Sequence, residues 1–466
     1  MVTSDVAARF ARSATERDTA VLSTAEFHRW WARRCEVDQF QVTPIPFAEL
    51  DGWHFEAASG NLAHDSGRFF TIEGLRCQGD AGREWTQPII NQPEIGILGI
   101  VAKEFDGVLH FLMQAKMEPG NVNRLQLSPT VQATRSNYMR VHQGSRTRFL
   151  EYFLEAKRGH VLVDVLQSEQ GVYFWRKRNR NMVVEVTEDV PEHEDFCWLT
   201  LHQLLDLLKV DNLVNMDART VMACMALSFP PDRPPAPTPF QEALLRSYDP
   251  AYGGVHTPTE IISWFNERKA VSDWRAHRIP LRDVAQWART ADEIADADLS
   301  RFRIMAVRVG AGNREVTRWS QPLLAPCHDG LAAFFTRNIG GVLHLLVQSR
   351  SEPGLLDIIE MGPTVKLPAV QDGGADREGH SVPFAAELAA MEPERIRFSA
   401  LLSEEGGRFY HAQTRYQIIE LDESFPLDVP PAYCWLTVHQ LMDLVRHGHY
   451  LNVEARSLLA CLHAVS

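Results

Sequence analysis

Between Phe111 and Arg148 the chain concentrates side chains suited to holding an anion and moving a proton. Lys116, Glu118, Tyr138 and His142 are candidate acids and bases, Lys116 in particular if burial and neighbouring arginines lower its pKa. Arg124, Arg135 and Arg140 suit phosphate oxygens, because a guanidinium stays protonated and offers paired donors. Gln114, Asn121, Asn123, Ser128 and Thr130 suit sugar hydroxyls, and Trp53 and Trp85 offer faces on which a base could stack. The stretch carries six Lys/Arg against one Glu, a net +5, within a chain of formal net charge −13.

The same framework recurs in the second half. The segment EPGNVNRLQLSPTVQ from Glu118 is matched by EPGLLDIIEMGPTVK from Glu352, and the matching stretch Leu345 to Val382 has three Lys/Arg against six Asp/Glu, a net −3. A solvated sheet face needs no such asymmetry between twins. An anion-binding pocket kept in one copy and eroded in the other produces it. Glu118 has a twin in Glu352, and Trp53 and Trp85 have twins in Trp287 and Trp319, so a turn role and core roles stay open for these three.

A constant offset aligns Trp30 with Trp264, His110 with His344 and Pro129-Thr130-Val131 with Pro363-Thr364-Val365, which marks a duplicated domain. The proline-dense segment FPPDRPPAPTP reads as the linker between copies. The expected organisation is an arm at 1–24, a first domain at 25–228 with the active site, a linker at 229–256, and a second domain at 257–466 with a degenerate pocket.

Each copy offers the same elements. Apolar runs flanking Asp106-Gly107, and Gly340-Gly341 in the twin, predict a two-residue hairpin. Strands are expected over 108–116 and 124–132, the second with its even positions on a polar face. A short helical stretch is expected near 148–157. Thr200 with Gln203, and Thr437 with Gln440, form capping boxes ahead of a last helix. These elements compose an α+β sandwich. His202 and His439 fall in the first turn of that helix and read as packing residues, and Cys197, Cys224, Cys434 and Cys461 as core thiols.

Bulk properties narrow the classes. The acidic balance argues against a nucleic-acid partner, and no apolar run approaches the ~20 residues of a membrane helix. Seven scattered cysteines without a C-x-x-C pair point to a reducing, cytoplasmic setting rather than a disulfide or zinc scaffold. No G-x-G-x-x-G opens a helix, so a dinucleotide cofactor is not expected.

The run EPGNVNRLQLSPTVQATRSNYMRVHQG, with the duplicated organisation and the C-W-L-T-x-H-Q motifs, resembles the NDP-hexose 2,3-dehydratases over nearly the whole chain. The resemblance implies two tandem Nudix-like domains, a homodimer, a dTDP-4-keto-6-deoxyglucose-type substrate and no cofactor. It also implies deoxysugar biosynthesis for a glycosylated natural product. The glutamate-rich metal-binding box of Nudix hydrolases is absent from both halves. The implied elimination needs a base for the C3 proton, a donor for the developing C4 enolate and an acid for the C2 hydroxyl. A Nudix-like hydrolase and a non-catalytic sugar-nucleotide sensor are the alternatives.

Overall fold

Asp106 and Gly107 adopt φ of 49° and 77°, the left-handed pair of a tight hairpin turn, and join Gly96–Phe105 to Val108–Met117 as antiparallel strands. Gly340 and Gly341 repeat the turn at 62° and 86°. The computed structural model describes residues 4–18, 20–37, 40–134, 147–155, 159–299, 301–311, 318–367 and 382–466.

Around each hairpin stands a seven-stranded mixed sheet. In the first half Arg178–Glu185 runs parallel to Gly96–Phe105, and Phe196–Thr200 runs antiparallel to Val108–Met117. The second half repeats this with Gln413–Leu421 on Gly330–Ile339 and Tyr433–Thr437 on Val342–Ser351. With two further five-stranded sheets and ten α-helices among the described residues, the fold is α+β.

The expected strand over 124–132 is two strands. Leu125–Ser128 pairs with Val108–Met117, while Val131–Ala133 crosses to Gly96–Phe105. All four residues of the first piece are buried, so the polar face expected there does not exist. The short central helix lies at Glu151–Leu154. Both capping boxes form, but each half ends in two helices. Leu201–Leu207 is followed by Met216–Ala223, and Val438–Val445 by Val453–His463.

The residues expected as an arm belong to the repeat. Ser4–Thr15 is a helix whose Phe10 is fully buried, worth about 2 kcal/mol. The Ser13 hydroxyl donates to the Leu109 carbonyl (2.6 Å) and accepts from the Leu201 N–H (2.9 Å). Ser247 does the same for Leu343 and Val438 from the helix Pro239–Ser247. The linker therefore ends at Thr238, the cap of that helix, rather than at 256.

The halves are not separate bodies. Phe40–Ile45 pairs with Phe302–Ala311 of the second half, and Arg275–Ile279 pairs with Thr71–Gln78 of the first. The helices Met216–Ala223 and Val453–His463 pack together in a core cluster built from both halves. Two turns are exchanged as well. Gly120 donates to the Gly406 carbonyl (2.8 Å) and accepts from the His411 N–H (2.8 Å). Gly354 donates to the Gly171 carbonyl (2.7 Å) and accepts from the Arg176 N–H (2.6 Å).

A Cβ on Gly120 would stand 1.5 Å from the Phe409 carbonyl oxygen. Backbone cannot yield as a side chain can, so Gly120→Ala should cost about 2–3 kcal/mol or prevent folding. Gly310→Ala, whose Cβ meets open space, should change stability by less than about 0.5 kcal/mol. Denaturant midpoints of the two variants check this.

Candidate active site

The first-half EPG turn and the second-half turn Ser403–Phe409 meet over a cavity of about 140 Å³. Lys116, at the end of the hairpin strand, places its ammonium 3.2 Å from Glu118 Oε1. Gln132 donates to the same oxygen (3.0 Å), and Asn215, which caps the helix Met216–Ala223, donates to Gln132 Oε1 (3.4 Å). Asp217 enters the cavity from that helix. Glu405 and Arg408 enter from the second half.

Two more charged walls come from the first-half turn that matches Ser403–Phe409. Glu169 accepts from Asn179 Nδ2 (2.5 Å), and Lys177 donates to the Glu94 carbonyl. Arg408 lies 4.3 Å over the Phe70 ring, and its Nε donates to Gln92 Oε1 (3.3 Å). Buried arginines hold both turns in place. Arg219 donates to the Ser403 carbonyl (2.8 Å), and Arg456 donates to the Ser168 carbonyl.

Among the described residues, four carboxyl groups thus share this cavity with three cations. Glu118 Oε2, Glu169 Oε2, Asp217 Oδ1 and Glu405 Oε2 are buried without a hydrogen-bond partner. Such a charge surplus in low dielectric is relieved by retaining protons. Burial pushes Glu405 up to about 7, helped by Glu118 and Glu169 and opposed by Arg408 and Lys116. Burial holds Asp217 well above the ordinary carboxylate range, with Glu405, Glu169 and Glu118 pushing the same way. Burial also raises Glu169 and lowers Lys177 to about 8. The site thus combines a carboxyl pushed up to about 7 with a lysine lowered to about 8, the range suited to general acid–base work. Among the described residues, no three His, Cys, Asp or Glu side chains are grouped to hold a metal ion.

Of the residues singled out in the sequence, Lys116 and Glu118 line this cavity. Gln114 precedes Lys116 by two positions on the same strand but does not line it. Tyr138, His142, Arg135 and Arg140 lie outside the described residues.

The remaining candidates have other tasks. Asn121 Nδ2 bonds the Arg124 carbonyl, and Asn123 Nδ2 bonds the Asn212 carbonyl. Thr130 bonds the Leu112 carbonyl and accepts from the Val101 N–H, as Thr364 does at Leu346 and Phe335. Ser128 donates to the Gln114 and Pro129 carbonyls. Arg124 is an exposed residue with φ of 64° and lies off the cavity.

The tryptophans pack. Trp53 Nε1 bonds the Ser320 carbonyl, and Trp85 Nε1 bonds Gln87 while its ring meets Trp274 edge-on at 5.3 Å. These residues serve polar backbone or core, because buried donors and acceptors must be paired.

Asp217, Glu405, Arg408, Glu169 and Lys177 were missed. Two repeated signals mark the first four: N-x-[DE]-A-R at Asn215–Arg219 and Asn452–Arg456, and S-E-x-G-x-x-F at Ser168–Phe174 and Ser403–Phe409; Lys177 lies just beyond the latter.

The sequence pattern of the NDP-hexose 2,3-dehydratases matches residues 24–225 and again 258–462. The chain belongs to that family. A dTDP-4-dehydro-6-deoxy-alpha-D-glucopyranose 2,3-dehydratase of Saccharopolyspora spinosa is 49% identical over 464 residues, covering 98% of this chain and 95% of that protein. A protein of the same description from Amycolatopsis orientalis is 47% identical over 469 residues, covering 99% and 95%. A solved Nudix hydrolase from M. smegmatis, RenU, is similar to 28% of this chain and 81% of its own at 21% identity, with a TM-score of 0.17. No helix among the described residues is long and apolar enough to cross a membrane.

Because Glu405 has a raised pKa when folded, its contribution to stability is complete below about 4.5 and is lost as pH rises through about 7. Gln at 405 does not titrate there. The melting temperature of Glu405→Gln relative to the parent protein should therefore climb between pH 5 and pH 8, as differential scanning calorimetry across that window would read.

Proposed function

We propose that this member of the family is a carbon–oxygen lyase acting on dTDP-4-dehydro-6-deoxy-D-glucose, removing water across C2 and C3 of the sugar. The observation that carries the reading is the near full-length identity to 2,3-dehydratases of that substrate. The chemistry of the cavity supports it.

The C4 ketone acidifies the C3 proton, and a carboxylate titrating near 7 is suited to remove it; Glu405 is that group. The electron pair moves to the C4 oxygen, where the Lys116 and Arg408 cations lower the energy of the enolate. The pair then returns to form the C2–C3 double bond as the C2 hydroxyl leaves. Asp217, kept protonated by burial, gives that hydroxyl its proton, so one water departs. The remaining 3-hydroxy enone tautomerises to the 3,4-diketo-2,6-dideoxy sugar. No net oxidation occurs.

The same resemblance supports a homodimer at work in the cytoplasm, making a deoxysugar for a glycosylated natural product.

The test is a mass-spectrometric time course in D₂O, with EDTA in one arm and divalent metal in the other, and a borohydride quench. Loss of one water with the nucleotide still attached, and solvent deuterium at C2, is the expected result. Free dTMP in the metal arm would mean hydrolysis, and unchanged substrate would mean a sensor; either rejects the reading. The rate should rise as pH passes about 7, and Glu405→Gln should remove that limb. Asp217→Asn should lower kcat by about 10²–10⁴-fold with a smaller change in KM.

A further inference from the structure

The two halves place one lysine differently around the same carboxylates. In the first cavity the ammonium comes from Lys116 and reaches Glu118, while Gln132 supplies only an amide. In the second half Arg350 stands at the position of Lys116 and donates to Gln348. Lys366 there stands at the position of Gln132. Its ammonium is 3.2 Å from Glu352 and 2.6 Å from Glu454, the counterpart of Asp217. One cation thus bridges the turn carboxylate and the helix carboxylate in the second half. Among the described residues no ion pair reaches Asp217, whose Oδ1 is buried and without a hydrogen-bond partner.

We propose that Gln132 is a positioning residue for the elimination: its neutral amide fixes Glu118 while leaving Asp217 its proton, and the lysine at the same place is what silences the second pocket. The inference rests on the dehydratase reading above.

The charged groups that act most strongly on Asp217 make the case, with Arg408 and Lys177 lining the same cavity. Glu405 comes from the second-half turn, Glu169 from the first-half turn, and Glu118 and Lys116 from the end of the hairpin strand. Only Lys116 among these is positive, and it is engaged with Glu118. An ammonium delivered from position 132 would add the missing cation. It would favour the ionised form of Asp217, and an ionised carboxylate cannot donate to a leaving hydroxyl. In the second half burial keeps Glu454 above its ordinary range even as Lys366 pulls it down, while Lys366 and Arg350 overcome the burial of Glu352 and hold it below its ordinary range. The 2.6 Å contact is the feature that decides this, because an ammonium wedged between two carboxylates keeps at least one of them charged.

The test uses the full chain with Gln132→Lys and Gln132→Met. Infrared difference spectra against Asp217→Asn would identify the protonated carboxyl of Asp217 without reference to turnover, so the inference can fail while the lyase reading stands. Gln132→Lys should weaken that band, lower kcat by about 10²-fold and move the alkaline limb of the rate profile, the fall expected where Asp217 gives up its proton, down by about one pH unit. Gln132→Met adds no charge and should keep both band and limb, whatever its effect on the rate. A parent protein without the band overturns the proposal. So does a Gln132→Lys protein with an unmoved band and limb, or a Gln132→Met protein that loses them. Should the lysine variant not fold, the parent and methionine spectra still decide.

Discussion

The backbone contact between Gly120 and the turn ending at Phe409 governs the rest of the molecule. With room there for no side chain at all, the second-half turn comes close enough for Glu405 and Arg408 to stand in the first-half cavity. The reciprocal contact at Gly354 brings Gln170 and Tyr173 into the second pocket. Buried Arg219 and Arg456 then fix the two incoming turns by their carbonyls, from helices that pack on each other. The cavity is therefore a junction of both copies, and its geometry depends on the whole shared core.

That junction explains the electrostatics. A carboxyl group close to other carboxyls and away from water keeps its proton unless a cation is brought to it. Among the described residues, the first cavity has one carboxyl more than it has cations, and Asp217 is in no ion pair. In the second pocket Gln170 replaces Glu405 and Lys366 replaces Gln132, so a carboxylate is removed and a lysine supplied. Tyr173 also stands where the first cavity has Arg408, so the charges of the two pockets are arranged differently on the same scaffold.

Much of the fold was legible because it is written in local chemistry. The hairpins follow from Asp106-Gly107 and Gly340-Gly341, and the capping boxes from Thr200-x-x-Gln203 and Thr437-x-x-Gln440. The strand exchange was not legible, since Phe40–Ile45 and Arg275–Ile279 carry no mark of which copy they join. Polar character at 121–130 has a structural use. There Asn121, Asn123 and Thr130 answer backbone groups of a buried crossing, a demand that looks in sequence like a binding face. Asp217 escaped notice for the opposite reason: it sits inside a wholly buried helix, where an acid is read as an interruption of an apolar pattern.

The exchanged turns also bear on how such a duplicated protein can change. An inert copy of an enzyme is ordinarily released from selection and drifts or is lost. Here the second copy carries two walls of the candidate site, and its strand completes the other copy's sheet. Its own pocket can change without touching the first cavity only where the change stays private, as at Lys366 and Arg350. At Glu405, Gly406 and Arg408 the second half is bound to the shape of the first-half cavity. Inheritance of the two copies is thus joined, and neither half can be cut away, swapped or allowed to drift as a unit.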